Sequence, residues 1–348
     1  MAEPTRRARV ERLLEAARRL ADAHTAEGRR LRERLLDTTG LSTASIELGL
    51  TRCLETAPDA AELDSLLGST PEAPHAHVLL AGNVFVAALR AVAIGAAASE
   101  RLSVRASRRD PALAEALHEL APGSFELVHT LTPKPGDRLW CYGSDETLAD
   151  LRASVPRGVW LHAHGSGFGA VAVDARGWSV EDARAIALDT ALFDRQGCLS
   201  PRVVCVAGDA AQARGIAAQI AGALGELDRE LPPGSYSPTE AAELRRQRDA
   251  ATYAFELFDA GSGWVSFSSQ PALAGSGRSL HVLPTSDVAA SLAPWSAHLT
   301  CVASNDAELR RQLGSALPGA RLARLGEMQR PALDGPVDRR RSPLGELL

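Results

Sequence analysis

The stretch His77–Glu100, HVLLAGNVFVAALRAVAIGAAASE, decides the fold. Val78–Ala98 is long enough and apolar enough to suggest a membrane span. Arg90 falls in the middle of that run, where a charge is costly in a bilayer. Gly82-Asn83 also interrupts it. The better reading is a strand (HVLLAG), a tight turn and a helix (VAALRAVAIGAAASE), with no transmembrane segment.

The same rhythm continues on both sides. RLSVRAS precedes DPALAEALHEL, with Pro111 in the first helical turn. RLWCYGS precedes DETLADLRASV, with Ser144 as the expected N-cap. Repeated β-α units imply a parallel, doubly wound α/β sheet with right-handed crossovers. A second alternating block starts near GVWLHAHG, 158–165. It predicts helices over 179–193, 210–230 and 237–258. Strands are expected at SPRVVCVAG, GWVSFSS, SLHVLPTS and LTCVAS. Residues 5–37 and parts of 44–67 read as helical, and GSTPEAPHAH, 68–77, as a linker. The tail from Arg321 is rich in Pro, Gly and Arg and reads as an irregular arm.

With 348 residues and 45% hydrophobic content, the chain is large enough for two lobes. A net charge of −5 and 4% aromatic residues argue against nucleic-acid binding. The five cysteines (Cys53, Cys141, Cys198, Cys205, Cys301) are widely spaced and form no CxxC pair. This disfavours both a disulfide framework and a structural zinc site. The N-terminal run is Arg-rich and amphipathic without a signal-like apolar core, so a cytoplasmic protein is expected.

Several residues are candidates for chemistry. Cys198, in FDRQGCLSP, sits at a helix-to-strand boundary, unlike Cys205 and Cys301 within apolar strands. It is either a small buried hydrophobe or a nucleophile. A helix C-terminus before it disfavours thiolate, so activation needs another source. Asn83, where a strand should end, either caps the next helix or donates to a developing oxyanion. Arg105, Ser107, Arg108 and Arg109 form a basic cluster after a strand, either a phosphate site or an exposed turn. Gly143-Ser144 opens a helix whose free N–H groups suit an anion. GSGFG at 165–169 is a weak glycine signal, and no complete dinucleotide or P-loop motif is present. His162 and His164 share a strand face but lack a third ligand. They read as satisfied strand histidines, and no metal is expected.

Together these segments resemble the LuxC-type acyl-CoA reductases of the aldehyde dehydrogenase superfamily. Four segments carry the resemblance in order: AGNVFVAALRAVAIGAAASERLSVRASRRDP, YGSDET, LHAHGSGFGAVAVD and DTALFDRQGCLSPRVVCV. The tail RLGEMQRPALDGPVDRR adds to it. The resemblance implies an aldehyde-dehydrogenase-like fold, a Rossmann-type cofactor domain plus an α/β catalytic domain. The expected division is an N-terminal helical region (1–69), a dinucleotide-binding domain (70–160), a catalytic domain (161–320) and a C-terminal arm (321–348) packing back on the cofactor domain. The active site is expected in the cleft between the lobes.

The resemblance also implies residue roles. Cys198 would be the nucleophile and Asn83 the side-chain half of an oxyanion hole. Arg105, Ser107 and Arg108 would hold the adenosine ribose or phosphate, and Gly143 and Ser144 the nicotinamide-side loop. Arg108 stands where NAD-dependent members often carry a Glu, which predicts NADPH (NADP) over NADH. Ala106 replaces the family's usual proline. Hydrolytic members carry a Glu in the segment matching 161–167, and LHAHGSG has no carboxylate there, which fits a reductase that protects its acyl-enzyme. His164 stands near that position and leaves a base of another kind open. The expected activity is reduction of a fatty acyl thioester, delivered as acyl-CoA or on acyl carrier protein, to aldehyde. Aldehyde oxidation and a non-catalytic nucleotide-binding scaffold are the alternatives. The chain is short for the family, and a homo-oligomer stays open.

Overall fold

The computed structural model describes residues 5–348. The Thr5 hydroxyl caps α1 (Arg6–Ala21), and α2 (Ala26–Thr39) follows. The helical reading of 5–37 therefore holds in two pieces. The break is fixed by Thr25, whose hydroxyl accepts from the Gly28 N–H at 2.9 Å and opens the second helix. Next come α3 (Thr43–Leu48), a π turn at Gly49–Cys53, and α4 (Ala60–Ser69), capped by Asp59.

The opening stretch of the sequence is β1 (Ala76–Leu79), a turn and α5 (Ala87–Ala98). Arg90 is only 3% exposed. Its guanidinium meets the Glu55 carboxylate at 2.6 Å and the Ala332 carbonyl at 2.6 Å. The charge that argued against a membrane span is thus paired inside the fold. Among the described residues no helix is long and apolar enough to cross a membrane. At the far end of α5, Arg9 Nε donates to the Ala96 carbonyl at 2.8 Å and Arg6 Nε to the Ala97 carbonyl at 2.7 Å. Cations there satisfy the orphan carbonyls of the last helical turn.

The series continues with β2 (Leu102–Arg105), α6 (Ala112–Leu120), β3 (Glu126–Leu127), β4 (Arg138–Tyr142), α7 (Asp145–Ser154) and β5 (Trp160–His164). These strands are parallel and lie in the order β5-β4-β1-β2-β3. Their apolar residues lie under helices: Leu139, Cys141, Leu161 and Ala163 pack with Leu148 of α7.

A second series forms a seven-stranded sheet. Its elements are β6 (Phe168–Asp174), α8 (Val180–Ala191), β7 (Pro201–Ala207), α9 (Ala210–Leu227), α10 (Pro238–Ala254), β8 (Glu256–Ala260), β9 (Gly263–Phe267), β10 (Ser279–Thr285), α11 (Val288–Leu292), β11 (Leu299–Ser304), α12 (Ala307–Ala316) and β12 (Arg321–Arg324). The order is β12-β11-β6-β7-β10-β9-β8, parallel except for β8. Capping boxes start α8 (Ser179/Asp182), α9 (Asp209/Gln212) and α10 (Ser237/Glu240). One face of the sheet, with Ala170, Ala172, Val203 and Leu283, packs on Val288, Leu292, Leu313 and Leu317.

Three sequence expectations need correction. The helix read over 237–258 stops at Ala254, because 256–260 pairs antiparallel with β9 across the two-residue turn Gly261-Ser262. The helix read over 179–193 ends at Ala191, and Phe193 and Asp194 adopt left-handed backbone. The tail is not wholly irregular: 321–324 is β12, and its last strand, β13 (Glu346–Leu347), pairs antiparallel with β5.

By chain contacts the molecule forms two compact units. The first takes the chain through Thr39, Ile46–Ser166 and Ala332–Leu348, and the second takes Gly40–Ser45 and Gly167–Pro331.

Candidate active site

Asn83, Arg105, Ser107, Arg108, Gly143 and Ser144 all lie at the carboxyl edge of the first unit's parallel sheet. The strand register brings them there: Leu79 of β1 lies beside Arg105 of β2 and Cys141 of β4. From β1 the chain winds outward to β2 and β3, then returns to the other side with β4 and β5. The switch point is therefore between the ends of β1 and β4. Gly82-Asn83 and Gly143-Ser144 flank it, at the position where open α/β sheets bind ligands.

The local chemistry of this edge is specific. Val86 holds the N-cap position of α5, not Asn83, and Asn83 is solvent-exposed. Gly82 sits against the β2 loop so closely that a Cβ would lie 2.9 Å from Ser107 Cβ and overlap its hydroxyl. Ser107 Oγ accepts from the Arg109 N–H at 3.1 Å, and Arg108 and Arg109 are exposed. Ser144 is the N-cap of α7: its hydroxyl accepts from the Thr147 N–H at 3.2 Å. The Gly143 N–H donates to the His164 carbonyl at 3.2 Å. Asp145 and Glu146 occupy the first turn of α7, so an anion there would meet two carboxylates.

Cys198 lies in the second unit, on the turn that enters β7. It is partly exposed, whereas Cys53, Cys141, Cys205 and Cys301 are buried. Burial pushes the Cys141 and Cys205 thiols up to about 12, and the Cys301 thiol higher still. Those three are poor thiolates at neutral pH.

The backbone around Cys198 is held from several directions. Phe193 and Asp194 have φ of 56° and 47°, two consecutive non-glycine residues in the left-handed region. Such residues cost about 1–3 kcal/mol each and persist where their surroundings enforce them. Phe193 is fully buried. Asp194 meets the buried guanidinium of Arg278 at 2.8 Å and accepts the Gly234 N–H at 2.9 Å. Arg278 also bonds Asp228 at 2.8 Å and the Leu231 carbonyl at 2.6 Å.

Beyond the cysteine, the Thr300 hydroxyl of β11 donates to the Cys198 carbonyl and to the Phe168 carbonyl. The Gly169 N–H donates to the Ser200 carbonyl at 2.8 Å. Gly169 has no room for a Cβ because the Leu199 carbonyl occupies that space, which explains a glycine whose sequence signal was weak. Gln329 Nε2 reaches the Ser200 hydroxyl at 2.9 Å and the Asp189 carbonyl at 3.2 Å. The buried Asp189 carboxylate accepts the Gly326 and Met328 N–H groups at 2.6 and 3.1 Å. Sequence reading missed Asp189, Asp194, Arg278, Thr300 and Gln329. A signal existed for Asp189, a carboxylate within the apolar stripe of Ile186, Ala187, Thr190 and Ala191.

The histidines divide. His162 Nε2 lies 3.1 Å from an Arg138 guanidinium nitrogen and its ring stacks on Trp140, as expected of a satisfied strand histidine. His164 departs from that expectation: both ring nitrogens are buried without a hydrogen-bond partner, and the ring stacks on Tyr142. Burial lowers its pKa to about 4, so it is neutral at pH 7 and a weak proton acceptor. A different trio, His75, His77 and Asp137, has ligand-type atoms within 4.8 Å of one another. His75 Nε2 is bonded to the Ser103 hydroxyl at 2.9 Å and His77 Nε2 to Asp137 at 3.2 Å.

Comparison with known proteins agrees with this architecture. The chain superposes on a NAD-dependent benzaldehyde dehydrogenase from Corynebacterium glutamicum with a TM-score of 0.71 and 15% identity, over 93% of this chain and 82% of that one. An NADP-dependent glyceraldehyde-3-phosphate dehydrogenase from Bacillus halodurans, solved with NADP, gives 0.63 and 15%, over 90% and 77%. An oxidoreductase from Marinobacter aquaeolei gives 0.66 and 11%, over 91% and 77%. These likenesses establish the aldehyde dehydrogenase fold. No curated protein sequence matches the chain. The acyl-CoA reductase (LuxC) family matches residues 122–338, more than half of the chain. By that match the chain belongs to the LuxC acyl-CoA reductases, aldehyde-forming oxidoreductases built on the aldehyde dehydrogenase fold.

Proposed function

We propose that this enzyme reduces a fatty acyl thioester, presented as acyl-CoA or on acyl carrier protein, to the aldehyde through an acyl-enzyme on Cys198, with NADPH as reductant. The observation that carries the reading is the turn around Cys198: the one partly exposed thiol sits on a backbone restrained on both sides by buried polar contacts. A nucleophile benefits from such preorganisation, and a packing cysteine does not need it.

The chain's residues divide the work. The Cys198 thiolate attacks the thioester carbonyl, forming a C–S bond, and the carrier leaves as its thiol after taking a proton. The Asn83 amide and the Cys198 N–H donate to the tetrahedral oxyanion. The carboxyl edge at the β1/β4 switch point fits a dinucleotide: Gly82 lets the β1 loop lie close against Ser107, and Arg105 and Arg108 supply cations for phosphate. A bound reduced nicotinamide supplies the hydride. After hydride reaches the acyl carbon, the C–S bond breaks, Cys198 leaves as thiolate and the aldehyde departs. The segment 161–167 holds no carboxylate, and the low basicity of His164 favours survival of the acyl-enzyme against water.

Intact-mass spectrometry after mixing with an acyl-CoA tests the reading. The expected result is one added acyl group, absent in Cys198→Ala and discharged by NADPH with release of aldehyde. Unchanged acylation in Cys198→Ala, or full turnover by that variant, overturns it.

A further inference from the structure

The tail of the first unit roofs a cavity that shares only His164 with the roles above. Its volume is about 680 Å³, large enough for a nucleotide-sized molecule. The floor is β5, with His162 and His164, and one wall is α4, with Ser65 and Ser69. The roof is the chain from Asp334 to Glu346. Asn83, Arg105, Ser107, Arg108, Gly143 and Ser144 are not among its lining residues.

Two features of this cavity point to a ligand. His164 is 92% buried, given its 8% exposure, and both its ring nitrogens lack any hydrogen-bond partner. A buried polar group left in that state is destabilising unless something in the cavity satisfies it. The second feature is charge. Arg152, Arg339, Arg340 and Arg341 line the space against Asp334, Asp338 and Glu346. Arg152 pairs with Glu346, Arg339 with Asp334 and Arg340 with Asp338. Arg341 makes no hydrogen bond or ion pair among the described residues. The Ser65 and Ser69 hydroxyls already donate to backbone carbonyls, so the cavity offers one uncompensated guanidinium and a neutral imidazole that can donate or accept.

We propose that this cavity binds a phosphorylated small molecule of nucleotide size, with Arg341 and His164 as its anion-facing groups. A phosphoryl group presents several acceptor oxygens, which suits a guanidinium fork and an imidazole N–H together. The remaining volume, bordered by Leu161, Ala163, Pro336 and Pro343, accepts an organic body. The proposal is independent of the role given to Cys198.

Calorimetric titration of the whole protein with pyrophosphate tests it, with the His164 imidazole followed by ¹H–¹⁵N NMR. Saturable binding is expected, with the His164 resonances moving along the same isotherm. Arg341→Glu, a change at an exposed side chain, should weaken binding at least tenfold, and His164→Phe should do the same. Arg108→Glu should leave this event unchanged. No saturable binding, an unmoved imidazole, or affinity retained in Arg341→Glu overturns the proposal. Loss of binding in Arg108→Glu but not in Arg341→Glu would put the anion at the carboxyl edge instead and also overturns it.

Discussion

Asp194, four residues ahead of Cys198, forms a buried ion pair with Arg278 at 2.8 Å. Both side chains are almost wholly removed from solvent. Removing one partner of such a pair leaves an uncompensated buried charge and costs about 3–5 kcal/mol. Asp194→Ala and Arg278→Met should each lower the unfolding free energy from urea titration by an amount in that range, and the double variant should lose less than the sum. Additive losses in the double-mutant cycle would show that the two do not act as a pair.

Asp194 also stands in left-handed backbone, which asparagine tolerates better than alanine. Asp194→Asn should therefore be milder than Asp194→Ala in both stability and the rate of Cys198 acylation. Equal losses in the two variants would separate the Cys198 turn from its backbone strain.

Cys198 is the partly exposed thiol among five. Brief iodoacetamide treatment of the native protein should add one label, at Cys198, and all five cysteines should label in urea. Labelling of Cys205 or Cys301 at a similar rate in the native protein would contradict the burial described here.

Gly82 leaves no space for a side chain against Ser107. Gly82→Ala must push the β1 and β2 loops apart, an overpacking effect of about 1–3 kcal/mol. Because these loops carry the proposed cofactor residues, NADPH affinity should fall roughly tenfold or more, with a smaller effect on acylation of Cys198. In the same assay, Arg108→Glu should reduce the preference for NADPH over NADH. Comparable use of both cofactors by the wild type, unchanged in Arg108→Glu, would remove Arg108 from the 2′-phosphate role.

His162 and His164 are held neutral by burial, with pKa values lowered from 6.5 to about 3 and about 4. Below pH 6.5 the unfolded chain takes up protons that the folded chain refuses. Stability therefore falls as pH drops from about 6.5 toward 4, by up to about 1.4 kcal/mol per pH unit for each such histidine. The melting temperature of His164→Phe should depend less on pH between 6 and 4.5 than that of the wild type. Identical slopes would mean that His164 is not held neutral in the fold.

Much of the fold was legible because β-α alternation is a local pattern. HVLLAG and RLWCYGS announced β1 and β4 by apolar runs ending in Gly and a polar residue, and Ser144 announced its helix by its own capping chemistry. The end of α10 was not legible, since nothing within 237–258 tells a continuing helix from the strand that β9 recruits. The Cys198 turn was legible only as a boundary. What holds it is remote: Arg278, Thr300 and Gln329 lie 80 or more residues beyond Cys198. No window around FDRQGCLSP contains them. His164 was misjudged for a related reason, because whether a buried imidazole finds a partner depends on what the tail places above it.

The reach of those contacts has a consequence for biosynthesis. The Cys198 turn takes one clamp from Thr300 and another from Gln329, the latter itself seated beside the Asp189 staple on Gly326 and Met328. The turn can therefore take all of these contacts only after Gln329 has left the ribosome. Until then the nascent protein carries its most accessible thiol on an unrestrained segment. The proposed nucleophile therefore gains its restraints only late in synthesis.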